Sequence, residues 1–395
     1  MFDYIDIHKR NLIILVILVF IQLFLYSQLY GFRVNNDTDS FIMSFQFFRG
    51  NGTDIHPPRY LNPFYPLVGS TIFAFLSPEH ALIMTNIIFY FGLVLLTYDL
   101  IRRVLKNNAI GFLSAVMVMT SYALIRYGLT QVQDIGGYFW FLLTIYCGWR
   151  WWEGDDRKWL IVGGIATAFG ILTKESGAMG SLFVGLILIA KNWKNLKSLF
   201  LNFLLFSIWP AGTLLINWFR GRDVQYNSMQ WLVYNWQTYK AYNFTFFKWV
   251  SINLSTFNVA WIAVFVGLYF LYKNRKNIDN NLRLFLLVVI PSSLSYFGWS
   301  LFISRTVFVS AWLVLPIAAY GIYELYNAGY KKISMTLSVL IIVAPYFLQS
   351  LIGYTPLFVI IERCDYKIEC SFKTFVKSRY HYTNFIINSP NYLEQ

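Results

Sequence analysis

Eleven apolar runs, each nearly free of charge, set the rhythm of this 395-residue chain. They fall at roughly 11–30, 82–101, 109–125, 135–149, 160–173, 178–190, 198–216, 257–272, 284–303, 306–326 and 334–353. A helix that crosses the hydrocarbon of a bilayer needs about 20 such residues. Its backbone polar groups have to be satisfied within the segment itself. The pattern predicts an all-α polytopic membrane protein of about eleven transmembrane helices. The first run follows His8-Lys9-Arg10 and has no small-residue cleavage site after it. It reads as a retained helix rather than a signal peptide.

The polar loops between the runs alternate in character. With the N-terminus cytoplasmic, one side collects His8-Lys9-Arg10, Arg102-Arg103 with Lys106, Arg150 with Arg157-Lys158, and Lys191, Lys194 and Lys197. Lys273 with Arg275-Lys276, and then Lys331-Lys332, complete that side. Such a bias marks the cytoplasmic face. The other side, the outer one, then receives the long segments: 31–80, a short loop over Arg126–Asp134, Thr173–Gly177, 217–255, a turn at Arg305, and the tail. The domain reading is a transmembrane domain over 1–353 and a short outer C-terminal tail over 354–395. At 160–190 two short helices meeting at the outer face fit the charge pattern better than one long broken helix, which flips every later loop.

Composition agrees with the membrane reading and removes an alternative. The chain is 57% hydrophobic, 20% aromatic and only 13% charged, with a formal net charge of +13. That charge sits in short loops between apolar runs, where membrane topology and anionic headgroups account for it. No basic patch accompanies a nucleic-acid reading module, so nucleic acid is not expected as a partner. Of three cysteines, Cys147 lies in an apolar run as a core residue. Cys364 and Cys370 lie in the tail, where an oxidising outer face lets them pair. No Cys/His spacing resembles a zinc site.

The candidate chemistry lies on the outer side. The first outer loop opens Asn35-Asn36-Asp37-Thr38-Asp39-Ser40-Phe41. Carboxylates this close to a bilayer are costly unless solvated or used. From Phe41 the apolar positions Phe41, Ile42, Phe45 and Phe48 have helical spacing, which predicts an amphipathic surface helix. Asp37 or Asp39 then serves as its N-cap, a role compatible with a catalytic one. Next, four prolines in the stretch from Pro57 to Pro66 predict a stiff, extended path. His56 reads as a surface residue rather than a ligand. Asp134 precedes an apolar helix, as an N-cap or facing the same cavity as Asp37. Lys174 either holds a phosphate as a point charge or pairs with its neighbour Glu175. Arg305 stands alone between two apolar runs and needs a carboxylate, a carbonyl or a lipid phosphate as partner.

In these motifs the chain resembles the GT-C glycosyltransferases. The likeness is to the branch of protein O-mannosyltransferases and the aminoarabinose transferase of lipid A. Asp37-Thr38-Asp39-Ser40-Phe41 is similar to that branch's acidic opening of the first outer loop, with Phe where Tyr is usual. Arg49-Gly50, Tyr65-Pro66-Leu67, Asp134, Gly170-Ile171-Leu172-Thr173-Lys174, and Arg305 followed by Pro316 continue the likeness over roughly 11–320. A large C-terminal soluble domain, which some GT-C branches carry, is absent from the pattern.

The resemblance implies an inverting glycosyltransferase with a polyprenyl-phosphate-linked sugar donor and a lipid, glycan or protein acceptor. It implies an integral protein of a bacterial or archaeal cell membrane with its active site on the outer face. It implies Asp37 as catalytic base with Asp39 as fallback, and Asp134 orienting the acceptor or helping to ligate a metal. Lys174, Arg305 and Arg59 would bind the donor phosphate. No cofactor is expected, although Mg²⁺ or Mn²⁺ is used by oligosaccharyltransferase-like relatives. A polysaccharide polymerase or ligase and a secondary transporter are the alternatives. The first would rely on outer-loop arginines, the second on charges near the bilayer midplane and on inverted repeats.

Overall fold

A computed structural model describes residues 2–29, 37–125, 129–223, 233, 246–298 and 304–352. Within them every regular element is helical. Over its described residues each of the eleven apolar runs falls mainly on a helix: α1 (Phe2–Leu29), α5 (Pro78–Leu105), α6 (Asn108–Met119), α7 (Asp134–Gly154), α8 (Lys158–Thr173), α10 (Gly180–Asn192), α11 (Leu196–Asp223), α13 (Ala260–Lys273), α14 (Asn280–Ser293), α16 (Ala311–Asn327) and α17 (Lys331–Ile352). Shorter helices fill the connections: α2 (Thr38–Phe48), α3 (Pro57–Leu61), α4 (Phe64–Ile72), α9 (Glu175–Ala178), α12 (Phe246–Phe257) and α15 (Ser304–Val307).

Among the described residues four stretches have both the length and the hydropathy of a membrane span: Ile7–Gln28, Pro78–Leu105, Leu196–Arg222 and Arg305–Asn327. Their burial separates centre from rim. The windows in Pro78–Leu105 and Arg305–Asn327 are 61% and 72% buried, against 22% and 11% for Ile7–Gln28 and Leu196–Arg222. On the rim, Phe20, Phe24, Phe200 and Leu215 point outward, as lipid-facing side chains do. Some other runs make helices shorter than a span. The 12 residues of α6 rise only about 18 Å at 1.5 Å each, against about 30 Å of hydrocarbon.

Close helix contacts are made through small residues, as lipid-embedded helices favour. A Cβ on Gly267 in α13 would sit 2.2 Å from the Ile317 carbonyl of α16, and one on Gly321 would sit 2.4 Å from the Ala263 carbonyl. Around the centre, Trp149, Trp151, Trp312, Tyr138 and Phe141 are fully enclosed. The Trp312 indole donates to the Thr97 hydroxyl at 3.1 Å, joining α16 to α5.

The segment 160–190 reverses direction. α8 runs back along α7, with the Thr144 and Thr167 hydroxyls 3.3 Å apart. Lys174 is extended (φ −162°, ψ 138°) and stops α8. α10 then runs parallel to α7, so that Lys191 reaches Asp155 at 3.0 Å. The reversal is tight: a Cβ on Gly170 would lie 2.7 Å from the Gly177 carbonyl carbon.

The prolines of the first loop do not make an extended path. Pro57 opens α3, and Pro63 and Pro66 lie at the start of α4. The first turn of a helix has no internal acceptor for its N–H groups, so proline costs nothing there. α2 forms as its spacing predicts, with Phe41 and Phe45 buried and Phe41 edge-on to Tyr65. Gly50 at φ +78° ends it. The expected loop 217–255 is partly helical at both ends, through α11 and α12. Residues 224–232 and 234–245 of it, Arg126, Cys364, Cys370 and the tail 354–395 lie outside the described residues.

The basic loops gather at one end of the bundle. There Asp99 binds Arg102 and Arg103, Arg103 reaches Glu153 at 3.4 Å, and Lys106 pairs with Asp279 at 2.6 Å. The Trp152 indole donates to Asn281 at 3.2 Å. The residues singled out for chemistry gather at the opposite end. α5 joins the two ends, and its 28 residues make about 42 Å of helix.

Candidate functional site

Asp37 occupies the N-cap position of α2, but its side chain does not cap. Its backbone is helical (φ −84°, ψ −8°) and no side-chain cap hydrogen bond forms. The carboxylate turns to two arginines instead. Oδ1 lies 3.9 Å from Arg59 Nη2, and Oδ2 lies 3.5 Å from Arg305 Nη1. The side chain stays 43% exposed, so a substrate can reach it. Asp39, in the first turn, is exposed and makes no ion pair among the described residues.

The Asp–x–x–x–Phe spacing has a physical reading. One helical turn puts Asp37 and Phe41 on the same side of α2. The Arg59 guanidinium lies 3.9 Å from the centre of the Phe41 ring, and its Nε donates to the Ser40 hydroxyl at 3.2 Å. Phe41 therefore serves as the platform that aims Arg59 at Asp37. Burial lowers the Arg59 pKa, and Asp37, Glu175 and Asp134 oppose that shift. The group stays charged at any physiological pH.

Asp134 opens α7 and is 2% exposed. A buried carboxylate is tolerated only with charged or hydrogen-bonding partners. Here Lys174 Nζ binds Oδ1, and Arg305 Nη1 lies 3.7 Å from Oδ2. Lys174 therefore does not pair with its neighbour Glu175. The extended backbone at Lys174 sends the two side chains apart, and Glu175 accepts instead from Asn62 Nδ2 at 2.9 Å. Asp134 is likewise no N-cap, because Gln133 holds that position. Of the partners open to Arg305, a carboxylate, a carbonyl or a lipid phosphate, it meets two carboxylates and bridges them. The Tyr138 hydroxyl donates to the Arg305 carbonyl at 2.5 Å, which ties this turn to α7.

Asp37, Arg59, Asp134, Lys174 and Arg305 thus form one cluster of alternating charge, with Asp39 at its exposed edge. Within this cluster Asp37 is the carboxylate that combines exposure with two cationic neighbours. The Arg305 guanidinium stands between Asp37 and Asp134, where a divalent cation bridging them would have to sit. Among the described residues no group of three His, Cys, Asp or Glu side chains converges. His56 is exposed, as expected.

Several positioning residues escaped the sequence reading. Asn86 is fully buried in α5 and donates both amide hydrogens to carbonyls, of Thr130 at 2.6 Å and Val132 at 2.9 Å. It clamps the segment that delivers Asp134. Gln133, with its amide oriented to satisfy both neighbours, donates to the Thr173 carbonyl at 2.8 Å. Its oxygen accepts from Arg59 at 3.3 Å. Thr38 donates to Gln131 at 3.4 Å. Arg220, at the end of α11, lies over the Tyr60 ring at 4.3 Å. The one available signal was an amide, Asn86, inside an apolar run, where an unsatisfied polar group is costly.

Comparison with known proteins places this architecture. Residues 61–211 match the family described as dolichyl-phosphate-mannose-protein mannosyltransferase. The match includes Asn62, Asn86, Asp134 and Lys174 and leaves Asp37, Arg59 and Arg305 outside it. Among solved structures, ArnT from Cupriavidus metallidurans, crystallised bound to undecaprenyl phosphate, superposes with a TM-score of 0.63 at 14% identity. The match covers 95% of this chain and 76% of that one. The archaeal oligosaccharyltransferase AglB from Archaeoglobus fulgidus, solved with an inhibitory peptide and a dolichol-phosphate, gives 0.51 at 11% identity. It covers 97% of this chain and 58% of AglB. No curated protein matches. The chain shares the helical membrane fold of these two structures, and the family match over 61–211 agrees with the resemblance read from the motifs in that stretch.

Proposed function

We propose that this protein is an inverting glycosyltransferase working on a sugar linked to a polyprenyl phosphate, with its site on the outer face of the membrane. The observation that carries the reading is the exposed Asp37 carboxylate held beside Arg59 and Arg305, with Lys174 and the buried Asp134 behind them. In this reading an acceptor hydroxyl or amine attacks the anomeric carbon from the face opposite the phosphate. The new bond forms as the sugar–phosphate C–O bond breaks, and the phosphate leaves with the electron pair. Asp37 takes the acceptor proton. Arg59, Arg305 and Lys174 meet the charge developing on the leaving phosphate.

The long separations around Asp37 suit this role. The guanidinium groups stand 3.5 and 3.9 Å from the carboxylate, and an incoming phosphate competes with Asp37 for both. As it does so, Asp37 is freed to accept a proton. Asp134 keeps Lys174 and Arg305 in place, and Asp39 remains the fallback base. With a guanidinium already between the carboxylates, the reading needs no divalent cation.

The test uses the purified full chain in lipid nanodiscs with undecaprenyl-phosphate-linked hexoses and pentoses, and cell-envelope extract as acceptor source. Sugar leaving the donor together with release of undecaprenyl phosphate, lost in Asp37→Asn, supports the proposal. Full turnover in Asp37→Asn overturns the assignment of the base. A ladder of repeating oligosaccharide favours the polymerase reading, and uptake of free sugar without bond cleavage favours a transporter.

A further inference from the structure

At the end of the bundle opposite Asp37, a groove opens between the start of α1 and the α5–α6 junction and continues between α6, α16 and α17. We propose that it is a binding site for one anionic phospholipid, with the phosphate at Arg10 and Lys106 and the acyl chains in the trough beyond.

The polar half is a cavity of about 490 Å³ lined by Ile7, Arg10, Asn11, Lys106, Asn108 and Phe112. The apolar half is a cavity of about 470 Å³ lined by Leu113, Tyr323, Tyr326, Met335, Val339 and Ala109. Ala109 lines both, so the two cavities adjoin at that residue. The wall behind the polar half is built. The buried Tyr98 hydroxyl lies 3.2 Å from His8 Nδ1, 3.4 Å from Asn11 Nδ2 and 3.4 Å from Asn108 Oδ1. This ties α1 to the start of α6 and holds both asparagines at the groove.

Of the two cations there, one is uncommitted and the other is held only at the surface. Arg10 is exposed and makes no ion pair or hydrogen bond among the described residues. Lys106 pairs with Asp279, but the two side chains are 66% and 41% exposed, and such surface pairs are weak. The first N–H groups of α6 are already taken by the Asn107 side chain, so the phosphate would meet the two cations and the Asn11 and Asn108 amides. Tyr323 and Tyr326 flank the trough where aromatic rings sit at a membrane interface. Two cations at one end of a groove whose remainder is apolar match the division of a phospholipid into headgroup and chains. The surrounding basic loops draw anionic lipid to this face. The site is independent of the proposed transfer reaction.

The experiment is native mass spectrometry of the full chain in mild detergent, titrated with phosphatidylglycerol, phosphatidylcholine or inorganic phosphate. One phosphatidylglycerol retained in preference to phosphatidylcholine is expected. Arg10→Gln should weaken it roughly fivefold, and the double variant with Lys106→Gln roughly 30-fold, following the contribution of each basic residue at an anionic surface. Ala109→Phe, which blocks the passage between the halves, should weaken phospholipid binding as well. Lipid-free melting temperatures unchanged in these surface variants show that the fold is intact. Equal retention of the two lipids, or retention insensitive to all three substitutions, overturns the site. Displacement of the lipid by low-millimolar inorganic phosphate, with Ala109→Phe without effect, makes it a free-phosphate site and overturns the lipid reading.

Discussion

Arg305 reaches Asp37 across 268 residues of chain, with Nη1 3.5 Å from Oδ2. The same nitrogen lies 3.7 Å from the buried Asp134. One guanidinium therefore joins the exposed carboxylate to the interior one. Removing a member of this chain of charges has consequences that differ by residue.

Asp37→Asn should lower sugar transfer by about 10²–10⁴-fold, the usual contribution of a positioned general base. Binding of the lipid-linked donor should persist, because the arginines remain. Asp39→Asn, at an exposed position without an ion pair among the described residues, should stay within a few-fold of wild type. Turnover and donor binding measured side by side on both variants check this; equal losses in the two would point away from Asp37.

Lys174→Ala should destabilise the fold by about 3–5 kcal/mol, because it strips the 2%-exposed Asp134 of its closest cation. Pairing Lys174→Met with Asp134→Leu should recover most of that loss while donor binding stays weak. Thermal unfolding in detergent, followed by a donor-binding titration, separates the two effects. A double variant that binds donor normally would exclude Lys174 from the phosphate site.

Asn86→Leu removes two hydrogen bonds to carbonyls, each worth about 1 kcal/mol, and leaves both acceptors buried. Asn86→Asp places a carboxylate against the same two carbonyls and should be worse. Both should loosen the segment before Asp134 and weaken donor binding, although Asn86 touches no substrate in the proposed site. Hydrogen exchange over 129–134 reads the loosening directly; protection unchanged from wild type would show that the clamp is dispensable.

Gly170→Val should disrupt the turn that presents Lys174. Even a Cβ there lies 2.7 Å from the Gly177 backbone, and backbone yields less readily than a side-chain tip. Gly185→Ala, where nothing stands within 4 Å, is the matched control on α10. The Gly170 variant should lose folded yield or donor binding, and the control should lose neither.

Treatment with EDTA should leave transfer activity unchanged, since Arg305 supplies the positive charge between the two carboxylates. Activity lost on chelation and restored by Mn²⁺ would mean that a metal displaces the guanidinium in the working enzyme.

Much of the architecture was legible in the chain because it follows from solvent. A run of apolar residues in lipid has one way to satisfy its backbone, so each of the eleven runs is mainly helical over its described residues. The alternation of basic loops likewise foretold which connections share an end. The helical spacing of Phe41, Ile42, Phe45 and Phe48 foretold α2, and the motifs contained the acidic and basic residues that cluster. The prolines after His56 misled, because their effect depends on position within a helix. Bare spacing cannot distinguish a first turn from an extended strand.

The pairing of charges was a different matter. From sequence alone Lys174 belongs equally to Glu175 or to a phosphate, and Asp37 is as much a cap as a base. Local geometry favours the nearest partner. Only the packing of α7 against α8, with the chain extended at Lys174, turns that lysine towards Asp134. Only the arrival of Arg305 from the far end of the chain decides that Asp37 faces cations. Sequence thus determined a helical membrane protein and the residues capable of chemistry. Tertiary structure decided which charges meet, because a buried carboxylate takes whichever cation the surrounding helices bring to it.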